Sequence, residues 1–363
     1  MRTGTAHLPL HHGRAPAWLF HRMKELAREI SLVIIDQFGP LEILRRLSDP
    51  FWFQSFGCVL GFDWHSSGLT TTLCGALKEG LRGTERDSGL FIAGGKGKVS
   101  RRTPIEIEEF CDRFSTEAKG LVYASKMTAK VDSAALQDGY QLYHHTFFFT
   151  KAGSWSVVQQ GMNEHTGYAR RYHWMGHGLD SFVCEPHSAV CCDHRGEVLN
   201  MVARESEEVR QTTTLIASEH PGRISSEIQT LRNLELPRGH GVILGSRGAR
   251  WLMRVLESTH EHQPADFEAL LATRGVGAKT IRALALISEL IYGVDPSFRD
   301  PVKFSFAHGG KDGHPYPVDR ENYDLSIEVL RQALLAAKIG RGEKLKAMER
   351  LAFLESRETE SKE

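Results

Sequence analysis

Apolar positions recur every three to four residues in PAWLFHRMKELAREISLVIIDQF, through Leu19, Met23, Leu26 and Ile30, which predicts an amphipathic helix. GPLEILRRLSDP follows as a short second helix stopped by Pro50. The apolar run FWFQSFGCVLGF leads into DWHSSG. The helical spacing then returns in SSGLTTTLCGALKEGL, with Ser66 or Ser67 available as its cap. LFIA reads as a buried strand and GGKGK as a loop. Thr103-Pro104-Ile105-Glu106 has the form of a capping box with proline at the first helical position. In YHHTFFFTKAGSWSVVQQGM the pattern changes to two β-rich runs joined through Lys151-Ala152-Gly153-Ser154, a β-hairpin. SFVCEPHSAVCCDHRGEVLNMVA adds short strands or loops.

Beyond about residue 205 the helical period takes over. SSEIQTLRNLEL, ARWLMRVLEST, FEALLAT, AKTIRALALISELIYG, LSIEVLRQALLAAKI and KLKAMERLAFLE all carry it. One stretch rich in glycine, proline and charge, VDPSFRDPVKFSFAHGGKDGHPYPVDRENYD, interrupts them. The expected fold class is α+β: a mixed α/β domain over 1–205, then an all-α domain over 206–355. A disordered, solvated tail is expected over 356–363.

Composition adds little. A chain of 363 residues suggests two domains, and 41% apolar with 25% charged residues is the ordinary mix of a water-soluble protein. Net charge is zero, so any nucleic-acid site must come from local clustering. Six cysteines in so long a chain call for no disulfide framework. The N-terminus has no continuous apolar core, and no segment approaches a membrane span. A cytoplasmic protein without a membrane partner is expected.

The most specific motif is Arg274-Gly275-Val276-Gly277-Ala278-Lys279-Thr280, between FEALLAT and IRALALISELIYG. Two glycines permit a tight turn, and the amides opening the next helix form an anion site to which Lys279 adds a cation. The bland alternative is a turn that merely joins two packed helices. The pattern resembles the helix-hairpin-helix of DNA-binding proteins over Phe267 to Gly293. That resemblance implies sequence-independent contacts to DNA backbone through Gly275, Val276, Gly277, Lys279 and Thr280. Within that class the motif is similar to the DNA glycosylase superfamily. There, a lysine where Lys279 stands serves as a Schiff-base nucleophile, and a catalytic aspartate follows one helix later. Asp295 comes too soon after the helix. Asp319, in Tyr316-Pro317-Val318-Asp319-Arg320, has the better local match but lies beyond an insertion, so the spacing from Lys279 departs from the superfamily for both. The iron–sulfur cysteines of some members are also absent.

Other clusters compete. Asp63 and His65 could form an acid/base or metal pair beside Ser66 and Ser67, where a helix start could take a phosphate; a satisfied helix cap is the alternative. Gly94, Gly95, Lys96, Gly97 and Lys98 suit phosphate but lack P-loop spacing, and a solvated loop fits equally. Cys184, His187, Cys191, Cys192, Asp193 and His194 are zinc-type ligands in spacings that match no familiar site, so buried strand cysteines are the better reading. Gln159, Gln160, Arg170, Arg171, Tyr172, His173 and Trp174 fit base stacking, or a sheet edge with a cation over a ring.

MRTGTAHLPLHHGRAPAWL, DPFWFQSFGCVLGFDWHSSGLTTT, AGGKGK and WSVVQQGMN together resemble a prokaryotic family of unknown function, number 763 of that kind, over nearly the whole chain. The family brings no activity with it. The preferred expectation is a DNA repair or processing enzyme, acting by base excision or phosphodiester cleavage. Its chemistry would lie with Asp319 and Lys279, or with Asp63, His65 and Lys96, and Mg²⁺ or Mn²⁺ is the candidate cofactor. The alternatives are a non-catalytic DNA-binding scaffold and a metabolic enzyme for a phosphorylated small molecule.

Overall fold

A computed structural model describes residues 15–62, 67–192, 195–224, 226, 246–302 and 320–359. The candidates Asp63, His65, Ser66 and Asp319, and the pair Asp193 and His194, lie outside the described residues.

The first half opens with four helices: α1 (Ala17–Phe38), α2 (Pro40–Ser48), α3 (Pro50–Val59) and α4 (Gly68–Gly80). Pro50 both ends α2 and begins α3. Asp49 Oδ1 accepts from the Phe51 and Trp52 amides at 2.8 and 3.0 Å, so the apolar run after it becomes a capped helix. The short α5 (Glu85–Ser88) leads into strand β1 (Leu90–Lys96), and a 3-10 segment (Gly97–Arg102) into α6 (Thr103–Phe114) and α7 (Lys119–Lys130). A π-helical turn, Val131–Ala135, passes into β2 (Leu136–Gln137). Then come β3 (Gln141–Thr150), β4 (Trp155–Asn163), β5 (Tyr168–Met175), β6 (Ala189–Cys191) and β7 (Leu199–Asn200).

Strands β1-β3-β4-β5-β6 form one antiparallel sheet in that order, and β2 pairs with β7. The fold is therefore mixed α and β, built on a five-stranded antiparallel sheet. Both faces of that sheet are covered. Phe91, Phe147, Phe149, Val157 and Trp174 face a core shared with α6, α7 and the helices α8 (Glu207–Ser218), α9 (Ser246–His262), α10 (Phe267–Ala272) and α11 (Ala278–Tyr292). Leu90, Ile92, Phe148 and Val158 face the other core, shared with α1–α4 and with α12 (Arg320–Ala336) and α13 (Arg341–Thr359). Elements on either side of residue 205 thus share each core. Burial on both faces explains why FFF and VV run unbroken in β3 and β4 instead of alternating with polar residues.

Two local expectations change. The glycine run is not a loop: Gly94, Gly95 and Lys96 continue β1 opposite Thr146, His145 and His144. The capping box is not formed either. The Thr103 amide already bonds Ser100 O in the 3-10 segment, so Glu106 turns away to accept from the Gly94 amide at 2.8 Å and Lys78 Nζ at 2.6 Å.

Candidate functional site

The hairpin of α10 and α11 is built locally. Asp266 Oδ1 caps α10 through the Ala269 amide at 2.7 Å, and α10 closes on Thr273. Gly275 then takes φ +92°, a left-handed conformation that a side chain resists. Val276, 1% exposed, plugs the turn into the core, while Arg274, Gly275 and Lys279 stay on the surface. Gly277 enters α11 in extended conformation, and no side chain caps the first turn, whose amides are the orphan donors of any helix start. Thr280 differs from expectation: its side chain is fully buried, leaving only its amide for an external anion. Val276 likewise spends its amide on Thr273 O. Gly275, Gly277 and Lys279 are thus the outward part of the motif. Gln137 ties the hairpin to the sheet: its Nε2 donates to Ala278 O at 2.8 Å, and its Oε1 accepts from Arg282 Nε at 2.6 Å.

The next residue, Asp138, belongs to a buried charge cluster. Arg170 Nη1 donates to Asp138 Oδ2 at 3.0 Å, and Arg170 Nη2 to Asp300 Oδ2 at 2.8 Å. Burial opposes the Arg170 charge, but Asp138, with Tyr172 and Asp300, outweighs it and holds its pKa above the ordinary arginine value. The Arg170 guanidinium also lies 4.5 Å from the Tyr140 ring centroid. The cation-over-ring reading of Arg170 is correct; the sheet-edge and base-stacking readings are not. β5 lies between β4 and β6, and Gln159, Gln160, Arg170, Arg171, Tyr172, His173 and Trp174 are at most 1% exposed.

A second cluster surrounds Asp132 in the π-helical turn. Its Oδ2 accepts from Gln159 Nε2 at 2.5 Å and Trp174 Nε1 at 3.0 Å, and its Oδ1 takes His187 Nε2 at 2.5 Å. A carboxylate can only accept, so Nε2 carries the proton, and Nδ1 is the ring nitrogen left for another partner. The Trp174 ring packs on His187 at 4.5 Å between centroids. His187 also lines a cleft of about 390 Å³ with Glu185, Arg195, Glu205, Arg299 and Asp300. One wall is the segment after α11, where Ser297 pairs with Asn200 and the Gly196 amide donates to Asp300 Oδ2 at 3.0 Å. Asp295 is exposed, so Asp300 is the carboxylate of this segment that turns inward.

The other candidates are not assembled with this cleft. Ser67 is buried, and its carbonyl accepts from Gln160 Nε2 at 2.9 Å. Both backbone groups of Gly94 are occupied, its amide by Glu106 and its carbonyl by Lys78 Nζ at 2.7 Å. Lys96, Gly97 and Lys98 remain exposed, with Lys96 Nζ 5.7 Å from the Tyr143 ring centroid. Cys191 and Cys192 are buried, and burial pushes the Cys191 thiol up to about 12, as expected of buried strand cysteines. Among the described residues, no three His, Cys, Asp or Glu side chains converge as they would around a metal.

Sequence reasoning missed Asp132, Asp138 and Asp300, and met His187 only as a zinc-type ligand. The signal for Asp132 is slight: one acid inside the otherwise small and apolar VDSAAL.

By fold, then, the chain is a mixed α/β protein with a doubly covered antiparallel sheet, an outward glycine hairpin and a cleft lined by His187, whose ring is held from behind by the buried Asp132. It belongs to the DUF763 family, described as a protein of unknown function, whose model matches residues 4–318. No curated protein matches the chain significantly, and no solved structure does. Among the described residues, no helix is long and apolar enough to cross a membrane.

Proposed function

We propose that this protein binds DNA through the helix-hairpin-helix at 267–293 and processes it, as a repair or strand-cleaving enzyme. One observation carries the reading. At the start of the 15-residue α11, Gly277 and the exposed Lys279 face outward at an uncapped turn, while Val276 anchors that turn from below. Backbone amides at a helix start together with a cation suit a phosphate, and they make no demand on base sequence. Arg274 adds a second exposed cation beside the turn. In this reading the helices after residue 206 supply the grip.

Fluorescence anisotropy with labelled duplex and single-stranded oligonucleotides tests it. Binding should be sequence-independent and weaken steeply as salt rises. Absence of binding at low salt, or affinity indifferent to salt, would sink the reading.

A further inference from the structure

We propose that the cleft lined by His187, Arg195 and Arg299 is a hydrolytic centre for phosphodiesters, with His187 as its general base. The substrate class rests on the DNA reading above; the assignment of the base rests on the cleft alone. Asp132 fixes His187 Nε2 as the protonated nitrogen and Trp174 holds the ring, which leaves Nδ1 as the acceptor nitrogen of a side chain that lines the cleft. Asp132 itself is fully buried and accepts from three side chains, which makes it a positioning residue. A second, independent sign is Glu185, two residues from His187 on the cleft wall. It is held at φ +44° by a 2.7 Å bond from its amide to Val202 O. A left-handed non-glycine residue is strained, and such strain concentrates at functional sites.

The cleft is lined by the carboxylates Glu185, Glu205 and Asp300 and by the cations Arg195 and Arg299. Asp300 is paired with Arg170 and Glu185 with Arg204, which reduces their repulsion of a phosphate, while Glu205 accepts from Ser297 Oγ at 2.9 Å and lies near Arg299. Arg195 and Arg299 are the cations of the wall that would meet non-bridging oxygens. In the step itself a water molecule gives a proton to Nδ1 while its oxygen bonds to phosphorus. One ester P–O bond breaks with its electron pair going to the leaving oxygen. That oxygen takes a proton from solvent, and His187 returns its own to solvent. One diester and one water become an alcohol and a phosphomonoester.

The test uses the full chain and bis(p-nitrophenyl) phosphate, with and without Mg²⁺ or Mn²⁺. The native protein should release p-nitrophenol. His187→Ala should lower kcat by about 10²–10⁴-fold, and added imidazole should restore part of the loss. His187→Gln, with the native melting transition as its control, should show the same loss. Asp132→Asn should lower kcat with little change in KM, because it disturbs the base rather than diester binding. No turnover by the native protein, full turnover by His187→Gln, or no imidazole rescue would overturn the proposal. Hydrolysis without duplex binding would leave the cleft standing and remove the DNA reading. Duplex binding without hydrolysis would do the reverse.

Discussion

The centre of the sheet and the glycine hairpin both join cations to special backbone or aromatic neighbours, yet they use them oppositely. At the sheet, Arg170 is sealed between Asp138 and Asp300, and Asp132 between Gln159, Trp174 and His187. Its partners come from segments 32 and 130 residues away in the case of Arg170, so the cluster exists only when the whole chain has folded. At the hairpin the geometry is set within a dozen residues, and Lys279 stands in solvent. Charge that is buried and compensated holds the fold; charge that is exposed on a rigid turn is available to a partner. Substitutions in the two regions should therefore separate stability from binding.

The largest effect is expected at Arg170. Arg170→Met removes the cation between two carboxylates that are 1% and 5% exposed. Leaving a buried charge without its partner costs about 3–5 kcal/mol. Urea unfolding should show that loss, and a triple change adding Asp138→Asn and Asp300→Asn should recover much of it. A single variant with the native midpoint would show that these charges are not sealed at all.

Acid should reveal the same burial. His144 is pushed down to about 3, by burial first and then by His145 and Lys96, and burial also lowers His145 and His173. These rings are neutral when folded and take up protons near 6.5 once unfolded. Their contribution is therefore fully present above that pH and is lost as pH falls below it, for His144 progressively down to about 3. Each such histidine adds a slope of about 1.4 kcal/mol per pH unit. Between pH 6.5 and about 5, before most carboxylates titrate, His144→Gln should flatten the stability curve by that amount. A variant curve parallel to the native one would place His144 in contact with water.

The difference between the regions also decides what could be read from sequence. The helix start at Lys279, the tight turn at Gly275 and the β3–β4 hairpin are local, so their period and glycines announce them. The antiparallel sheet follows less directly, because pairing β1 beside β3 depends on contacts across some fifty residues of helix and loop, not on any turn signal. The Asp132–His187 pair spans 55 residues and gives no spacing motif at all. Glu106 is instructive in the same way: its capping-box position is plain in the sequence, but a preceding 3-10 turn had already taken the Thr103 amide.

Within the hairpin the two glycines should part company. Gly275→Ala meets a positive φ, with the added carbon 3.4 Å from Val255 Cγ2, and should cost about 1–2 kcal/mol. Gly277 is extended and its added carbon meets nothing within 4 Å, so Gly277→Ala should cost about 0.5 kcal/mol. Its methyl would instead stand where a phosphate approaches the amides. Melting curves and duplex titrations on the two variants should rank them in opposite order. The same ranking in both measurements would mean that the turn is only a connector.

The smallest effect on the fold is expected at Lys279. Its side chain is exposed, so Lys279→Ala should leave unfolding within about 0.5 kcal/mol of native. If the ammonium neutralises one phosphate, its removal should reduce the slope of log affinity against log salt by about 0.9 on duplex DNA. The affinity should fall similarly for every duplex sequence, since a backbone contact reads no bases. Lys279→Arg keeps the charge and should keep the slope. This one residue thus tests the contrast from the hairpin side: an unchanged salt slope in Lys279→Ala would leave the exposed cation without a phosphate, however well the turn around it is built.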